Sequence, residues 1–283
     1  MMKMDTTFGI REFRELRDLI YEKIGIHILD EKIYFLKKRV EKRIEELGID
    51  SPSEYIKYLR YMDHTGKEFQ NLTNSITINE TYFFRNFPVL QAFAEHCLPE
   101  VLQRNMEKKQ KELRILSAGC SSGEEPYTLS IILHEMVDDL RNIDARIVGI
   151  DIDESALKKA ERGIYDERSV KDVPGKYLDK HFDILPSGYS VKEHVRRLVR
   201  FHKINLFDST NLLRVGKQFD FVFCRNVLIY FSDESRRQVV ENLYMMMKPG
   251  AYIFLGYSES MTRITRAFRI KRAGNTLVYQ KPM

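Results

Sequence analysis

Ser117–Pro126 reads Ser-Ala-Gly-Cys-Ser-Ser-Gly-Glu-Glu-Pro and decides how the chain is interpreted. Before it lies a short apolar segment typical of a strand, Leu113–Leu116. After it comes Tyr127–Met136, in which apolar residues recur at helical spacing. A strand that passes through a glycine-containing turn into a helix is typical of the ligand crevice of an open α/β sheet.

The turn itself indicates which ligands it can accept. Gly119 and Gly123 allow main-chain N–H groups to approach a ligand without Cβ clashes. The turn lacks the G-x-G-x-x-G pattern and carries two acids, Glu124 and Glu125, at the predicted start of the helix. Carboxylates there disfavour a pyrophosphate and favour a cationic or hydroxyl-bearing ligand. Taken alone, the glycines are equally compatible with a buried turn that binds nothing.

A second strand favours the ligand-binding interpretation. The run Ala145–Asp153 is apolar and reaches Asp151 at its end, one strand–helix unit after the glycine turn. A carboxylate at the end of the second strand can accept hydrogen bonds from both ribose hydroxyls of an adenosine-type ligand. The two segments together predict a nucleoside-binding α/β domain. Without a phosphate cradle, S-adenosylmethionine (SAM) is a better candidate than NAD or ATP.

Composition limits the class of protein. The chain has 283 residues, 43% of them hydrophobic, and its net charge of +5 is too small to indicate nucleic acid as a partner. Cys97, Cys120 and Cys224 are scattered, which predicts reduced thiols, and neither they nor the seven histidines have metal-ligand spacing. No apolar run reaches the roughly 20 residues of a membrane span, and the first residues do not resemble a signal peptide. We therefore expect a cytoplasmic protein with no membrane insertion and no metal.

The chain predicts a small helical domain followed by a larger α/β domain. Residues 1–75 contain apolar faces at helical spacing, and we expect three helices there. The second helix carries a basic patch, which is either a solvated face or a docking surface for an acidic partner helix: Lys37, Lys38, Arg39, Lys42 and Arg43. A linker, 76–88, joins this domain to the α/β domain, 89–283.

Alternating strands and helices in the larger domain predict a mostly parallel sheet with one antiparallel edge strand, closed by a hairpin around Gly274-Asn275. The rhythm breaks at about 166–200, where turn residues indicate an inserted small β element with a turn at Pro186–Gly188. We include the loosely alternating run Val195–His202 in this insertion.

Five ordered motifs resemble the CheR family, the bacterial chemotaxis-receptor glutamate methyltransferases. Asn79–Arg85 is similar to the family's N-x-T-x-F-F-R signature, and Ser121–Tyr127 resembles its S-x-G-E-E-P-Y turn. The remaining segments also fit: Asp151–Asp153 with Gly163–Tyr165, Cys224–Phe231, and the turn Lys248–Gly250. The resemblance covers nearly the whole chain in order.

The resemblance implies a Rossmann-like, seven-stranded class I methyltransferase sheet, with a small N-terminal helical domain and an inserted β subdomain. It implies methyl transfer from SAM to the γ-carboxylate of specific chemoreceptor glutamates, giving methyl esters and S-adenosylhomocysteine (SAH). The N-terminal helices would dock on the receptor's cytoplasmic helical domain, and residues 76–88 would contribute to the active site. We expect a monomer that binds no nucleic acid.

The resemblance also assigns residues. It places the cofactor against these positions: Asn79, Thr81, Arg85, Gly119, Glu125, Asp151, Asn205, Leu206, Arg225 and Asn226. Asp151 would hold the ribose, Asn205-Leu206 the adenine side, and Arg225-Asn226 the methionine moiety. We expect Arg85 and Tyr230 to be the catalytic residues. Arg85 would orient the substrate carboxylate with its planar fork, and Tyr230 would hold either the carboxylate or the cofactor by its hydroxyl.

Two other functions remain open at the level of sequence. The first is an amine methyltransferase acting on nucleic acid, because Asn226–Tyr230 loosely resembles the N-P-P-Y loop of such enzymes. Its middle is Val-Leu-Ile, however, and no broad basic face would follow phosphates. The second is a non-catalytic adaptor or sensor that binds SAM. The presence of Arg85, Asp151 and Asn226 favours an enzyme.

Overall fold

The first part of the chain forms four helices, with glycine or proline at several of their ends: α1 (Ile10–Ile24), α2 (Ile33–Leu47), α3 (Pro52–Tyr61) and α4 (Lys67–Ile76). Gly48 ends α2 in the left-handed conformation, and Ser51 begins α3 by accepting a hydrogen bond from Glu54 N at 3.3 Å. The sequence predicted three of these helices and missed α4. The computed structural model describes residues 8–283, and none of its helices is long and apolar enough to cross a membrane.

The described residues divide into two units. The first contains the residues up to Ile78 together with Tyr230–Ser235, and the second contains Asn79–Ile229 and Arg236–Met283. Apolar side chains from all four helices are buried in the first unit: Phe13, Leu16, Ile20, Leu36, Val40, Tyr55, Leu59 and Leu72.

A buried acid in the first unit explains part of the basic patch. The side chain of Glu68 is 4% exposed and lies 2.6 Å from Arg43 Nη2, and Tyr55 Oη donates to it at 2.8 Å. The guanidinium of Arg43 is therefore already paired with a buried acid of its own unit. Lys37 and Lys42, by contrast, form exposed pairs of 3.8 Å with acids one helical turn away, and such pairs are weak.

The second unit contains ten strands: β1 (Glu112–Ala118), β2 (Asp144–Asp151), β3 (Ile164–Tyr165), β4 (Phe182–Leu185), β5 (Gly188–Val191), β6 (Val199–Lys203), β7 (Phe219–Cys224), β8 (Met247–Leu255), β9 (Arg269–Ala273) and β10 (Thr276–Gln280). Its helices are α5 (Phe87–Ala92), α6 (Leu98–Glu107), α7 (Glu124–Met136), α8 (Glu154–Arg162), α9 (Glu167–Val170), α10 (Gly175–His181), α11 (Glu193–Arg196), α12 (Ser209–Leu212) and α13 (Asp233–Met246), which begins in the first unit.

Seven strands form the main sheet in the order β6-β2-β1-β7-β8-β10-β9, which confirms the predicted class of fold. Strands β6, β2, β1, β7 and β8 are parallel. β10 runs antiparallel to both β8 and β9, so the antiparallel strand lies one position inside the edge. The prediction of an antiparallel edge strand was wrong in this detail, because the terminal hairpin folds back and inserts its second strand beside β8.

The inserted element is a three-stranded antiparallel sheet, β3-β5-β4, with a tight turn between Leu185 and Gly188, as predicted. The prediction placed the C-terminal end of this inserted element too far along the chain, however. The run Val195–His202 belongs to α11 and then to β6, which pairs in parallel with β2 and forms an edge of the main sheet. Alternation alone could not distinguish these sheets, because an edge strand and a small hairpin share the same period.

A π-helical turn, Phe93–Cys97, lies between α5 and α6. Leu98 N donates to Phe93 O, and Pro99 follows without an N–H of its own. The wide turn contains Phe93, whose ring lies edge-on to Phe221 and Phe223 of β7, with centroids 5.0 and 5.2 Å away. This aromatic contact anchors the helix on the main sheet.

Three histidines, here called the histidine cluster, join the insertion to α7. His181 Nδ1 lies 2.9 Å from His194 Nε2, and His181 Nε2 lies 2.8 Å from Glu135 Oε1. His134 Nε2 lies 3.0 Å from His194 O. Burial lowers the pKa of all three rings, and the neighbouring histidines help to bring the pKa of His194 to about 4.

We expect this cluster to make folding sensitive to mild acid. The unfolded chain binds protons on histidine near pH 6.5, whereas the folded cluster resists protonation. Stability should therefore fall as the pH drops from about 6.5 toward 4. Urea unfolding at pH 7.5 and 5.0 checks this: wild type should lose more stability than His194→Asn. Equal losses in the two proteins would assign the acid sensitivity to other groups.

Candidate functional site

The carboxyl ends of five parallel strands meet at one side of the main sheet, here called the carboxyl edge. The glycine turn follows β1, and Asp151 is the last residue of β2. Asn205 follows β6, Arg225 follows β7, and Gly256 follows β8. Segments far apart in sequence thus bring their polar side chains to the same edge.

Asp151 lies at the centre of one polar network. Its side chain is buried, and its two oxygens accept from Ser121 N at 2.7 Å and Asp153 N at 2.9 Å. Asn79 joins the same network: its Nδ2 donates to Asp153 Oδ2 at 2.6 Å, and Ser121 Oγ donates to its Oδ1 at 3.1 Å. The segment before α5, the glycine turn and the end of β2 are therefore held together by hydrogen bonds.

The electrostatics of this edge depend on burial. Burial raises the pKa of Asp151, although the backbone N–H groups of Asp153 and Ser121 oppose that effect. Burial likewise raises the pKa of Glu124, against hydrogen bonds from Ser122 and Ser169. Both carboxyl groups are buried, so a substitution that leaves their hydrogen-bond donors without an acceptor would be costly.

Glu125 and Arg225 form a second network. Arg225 Nη1 donates to Glu125 Oε2 at 2.9 Å, and the side chains are 4% and 14% exposed respectively. Arg225 Nη2 also donates to the carbonyl oxygen of Arg85 at 2.5 Å, and Ser117 Oγ donates to Glu125 Oε1 at 2.6 Å. The ion pair therefore ties the start of α7 to the end of β7 and to the backbone of Arg85.

The guanidinium of Arg85 lies outside this pair. Its Nη1 donates to Glu80 O at 2.5 Å, and its Cζ lies 5.7 Å from the ring centroid of Tyr82. The side chain is half-buried. Arg85 thus keeps further N–H groups that could contact a ligand at this edge.

Backbone strain concentrates near the same residues. Of the six non-glycine residues with positive φ in the described chain, four are Phe84 (58°), Asn86 (61°), Ser121 (49°) and Asn226 (60°). Such conformations persist when the surroundings fix them, and they cluster at active sites and ligand clamps. The strain therefore supports a functional site at the carboxyl edge.

The other predicted residues are placed as follows. Thr81 is half-buried. Gly119 has φ of 78°, and a Cβ there would lie 2.3 Å from Val227 Cγ2. Asn205 accepts from Phe207 N at 3.0 Å, and the buried Leu206 follows it. Gly119 follows β1, and Asn205 and Leu206 come shortly after β6, so all three lie at the carboxyl edge.

Tyr230 is placed differently, because it groups with the first unit, where its carbonyl oxygen accepts from His27 N at 2.8 Å. Its catalytic role stays a prediction.

Three residues that take part in these hydrogen-bond networks were not predicted as site residues: Ser121, Asp153 and Glu259. Ser121 and Asp153 lie inside recognised motifs, and Asp153 also accepts from Ser155 N and Ala156 N as the N-cap of α8. An aspartate directly before a predicted helix is the signal that could have indicated it. Glu259 hydrogen-bonds the backbone after β7, but it lies 33 residues from Asn226, and no local pattern marks it.

Comparison with models of known protein families shows to which family this chain belongs. Residues 11–77 match the family described as CheR methyltransferase, all-alpha domain, and residues 79–276 match CheR methyltransferase, SAM binding domain. This chain belongs to the CheR methyltransferase family. The predicted resemblance is thereby confirmed over most of the chain.

Curated relatives agree with the CheR assignment. The chain is 40% identical over 272 residues to chemotaxis protein methyltransferase 2 of Vibrio cholerae serotype O1, covering 96% of this chain and 93% of that protein. It is 34% identical to the chemotaxis protein methyltransferase of Borreliella burgdorferi, covering 88% of each chain. It is 32% identical to that of Escherichia coli K12, covering 92% of this chain and 87% of the relative.

The residues at the carboxyl edge fit the SAM that a CheR SAM-binding domain implies. The carboxylate of Asp151 accepts backbone N–H groups from Ser121 and Asp153, and a further one from Ile152. A carboxylate has about four lone-pair sites, so it can still accept from a ribose hydroxyl. Arg225 Nε is buried and has no hydrogen-bond partner among residues 8–283. A buried N–H without an acceptor is costly, and a ligand oxygen would relieve that cost. Within the same residues, no cluster of His, Cys, Asp and Glu is arranged to hold a metal.

We expect Asp151→Ala to weaken binding of SAH by about 10- to 100-fold, because charge-assisted hydrogen bonds to the ribose would be lost. Isothermal titration calorimetry measures this directly. Asp220→Asn is the control: Asp220 is also buried and accepts a backbone N–H, from Arg114 at 2.9 Å, and it pairs with Lys248. Unchanged affinity in Asp151→Ala, or an equal loss in Asp220→Asn, would rule out the ribose assignment.

Proposed function

We propose that this protein transfers a methyl group from SAM to the γ-carboxylates of specific glutamates on the cytoplasmic helices of chemoreceptors. The products would be glutamate methyl esters and SAH. The family match to both CheR domains supports the proposal, as do relatives named chemotaxis protein methyltransferase. The observation that carries it is the convergence of Asn79, Glu125, Asp151 and Arg225 on the carboxyl edge.

The chemistry places modest demands on the protein. When bound, SAM supplies a methyl group on a sulfonium, which is an excellent leaving group. A glutamate carboxylate, with a free pKa of about 4.3, is already ionised at neutral pH and needs no general base. The protein's task is therefore to hold the two reactants in line and to exclude water. A desolvated edge such as that around Asp151 and Arg225 suits this task.

We assign roles to individual residues on this basis. Asp151 holds the ribose, and Asn205 and Leu206 contact the adenine side. Arg85 orients the substrate carboxylate with its planar fork, and Tyr230 contributes its hydroxyl. The remaining positions line the cofactor: Asn79, Thr81, Gly119, Glu125, Arg225 and Asn226.

The first unit would dock on the receptor. An acidic receptor helix could compete for Lys37 and Lys42, since their exposed pairs within α2 are weak, and could contact the exposed Lys38. Arg43 would stay with the buried Glu68. We propose that the protein acts as a monomer in the cytoplasm, where the receptor's methylated helices lie.

The test is transfer of radiolabelled methyl from SAM to a purified chemoreceptor cytoplasmic fragment, followed by mild base. Label that enters the receptor and leaves as methanol identifies a carboxyl methyl ester and supports the proposal. Label that survives base indicates an amine acceptor and overturns it. Absence of label in a panel of chemoreceptor fragments, with SAM still bound, would favour a non-catalytic sensor and also overturn it.

A further inference from the structure

Glu259 occupies a position that the roles assigned above do not explain. Its Oε2 accepts from Asn226 N at 2.9 Å and from Gly256 N at 2.7 Å. Its Oε1 accepts from Val227 N at 3.1 Å and from Ile229 N at 3.3 Å. One carboxylate thus satisfies four backbone N–H groups from two loops, one after β7 and one after β8.

These two loops approach each other too closely for a larger residue at position 256. A Cβ on Gly256 would lie 2.8 Å from Asn226 N and 2.8 Å from Glu259 Oε2. Asn226 itself is held with φ of 60°, a conformation that needs outside support. Glu259 provides that support, because it binds the N–H of Asn226 and the next residue's N–H together.

The position of this loop matters for the site. Asn226 directly follows Arg225, whose guanidinium pairs with Glu125 and with the carbonyl oxygen of Arg85. Val227 lies against Gly119 in the glycine turn, where there is no room for a Cβ. A shift of the loop would therefore change how Asn226 and Val227 face the glycine turn.

We propose that Glu259 is a positioning residue for methyl transfer, which fixes the loop Asn226–Ile229 at the carboxyl edge. This inference rests on the proposed function of that edge. Glu259 itself contacts only backbone N–H groups in the bonds described, so it acts through Asn226 and Val227 and is not a catalytic residue.

The chemistry of the side chain gives the inference a specific test. A carboxylate only accepts hydrogen bonds, and it offers two oxygens to the four N–H groups. Glutamine has the same length but replaces one oxygen with an NH₂ donor, which would face two N–H groups and repel them. Aspartate keeps both oxygens but is shorter by one methylene group.

The experiment compares Glu259→Gln and Glu259→Asp with wild type by calorimetric binding of SAH, thermal unfolding and steady-state methyl transfer. Glu259→Gln should weaken SAH binding and should also lower kcat. The two effects multiplied together should amount to about 10- to 100-fold. Glu259→Asp should recover part of the loss. Glu100→Gln is the control, since Glu100 is a carboxylate that hydrogen-bonds Tyr252, Lys271 and Gln280 on β8, β9 and β10.

The outcomes are distinct. Losses in Glu259→Gln that exceed those of Glu100→Gln, at a comparable fall in Tm, support the positioning role. Equal losses at equal Tm would reduce Glu259 to a structural residue and overturn the inference. If wild type methylates no receptor, the proposed function fails, but the comparison of SAH affinities still decides the role of Glu259.

Discussion

Arg225→Met is expected to lower the free energy of unfolding by about 3–5 kcal/mol, because it leaves the partly buried carboxylate of Glu125 without its cation. The pair is separated by 2.9 Å, and the arginine side chain is only 4% exposed. Its loss would also leave the carbonyl oxygen of Arg85 without that donor. Urea unfolding measures the change in free energy.

The double variant Glu125→Gln/Arg225→Met separates stability from function. Removing both charges should restore at least about 1 kcal/mol relative to Arg225→Met, since no uncompensated charge remains. SAH affinity should stay low in both variants if these residues line the cofactor. Lys158→Met is the control for an exposed pair, with Glu154 at 3.0 Å, and should cost less than about 1 kcal/mol. A similar small cost for Arg225→Met would contradict the argument from burial.

Arg85→Ala is expected to reduce kcat for receptor methylation by about 100-fold or more while changing SAH affinity by only a few-fold. In the roles proposed above, its guanidinium orients the substrate carboxylate, whereas the side chains around Asp151 hold the cofactor. Arg85→Lys should recover little, because an ammonium lacks the planar fork. Steady-state kinetics with a receptor fragment and calorimetry with SAH together test both parts.

Arg168→Ala is the matched control for Arg85. Arg168 is an 80% exposed arginine that lies 3.5 Å from the carboxylate of Glu80, the residue whose carbonyl oxygen binds Arg85. Its replacement should leave kcat within about twofold of wild type. Proportional losses of kcat and SAH affinity in Arg85→Ala would remove the orienting role and make Arg85 a cofactor contact.

The sequence predicted the second unit well where local patterns and burial agree. The connection from β1 into α7 combines a short apolar run with a glycine turn, and such patterns are local. The convergence of Asp151 and Arg225 on one edge also follows from sequence, because parallel strands end on the same side of a sheet. The fold class and the ends of these strands could therefore be predicted together.

The parts that sequence missed depend on contacts between distant residues. Nothing near Glu259 indicates that its carboxylate will find backbone N–H groups 30 and more positions away. The edge strand β6 is recognised only by its pairing with β2, since its own alternation also suits a hairpin. Arg43 pairs with the buried Glu68, which lies two helices later in the chain. Local patterns of residue type do not indicate such pairings between distant residues.

The two outermost strands of the main sheet have a consequence for self-association. An open edge offers unpaired N–H and C=O groups to a strand from another molecule, and lysine or arginine on the edge discourages that addition. β6 carries Arg200, His202 and Lys203, and β9 carries Arg269, Lys271 and Arg272. A second copy that extended the sheet by pairing β6 with β6, or β9 with β9, would bring like charges face to face. We expect this basic character to discourage strand-by-strand aggregation when the protein is concentrated.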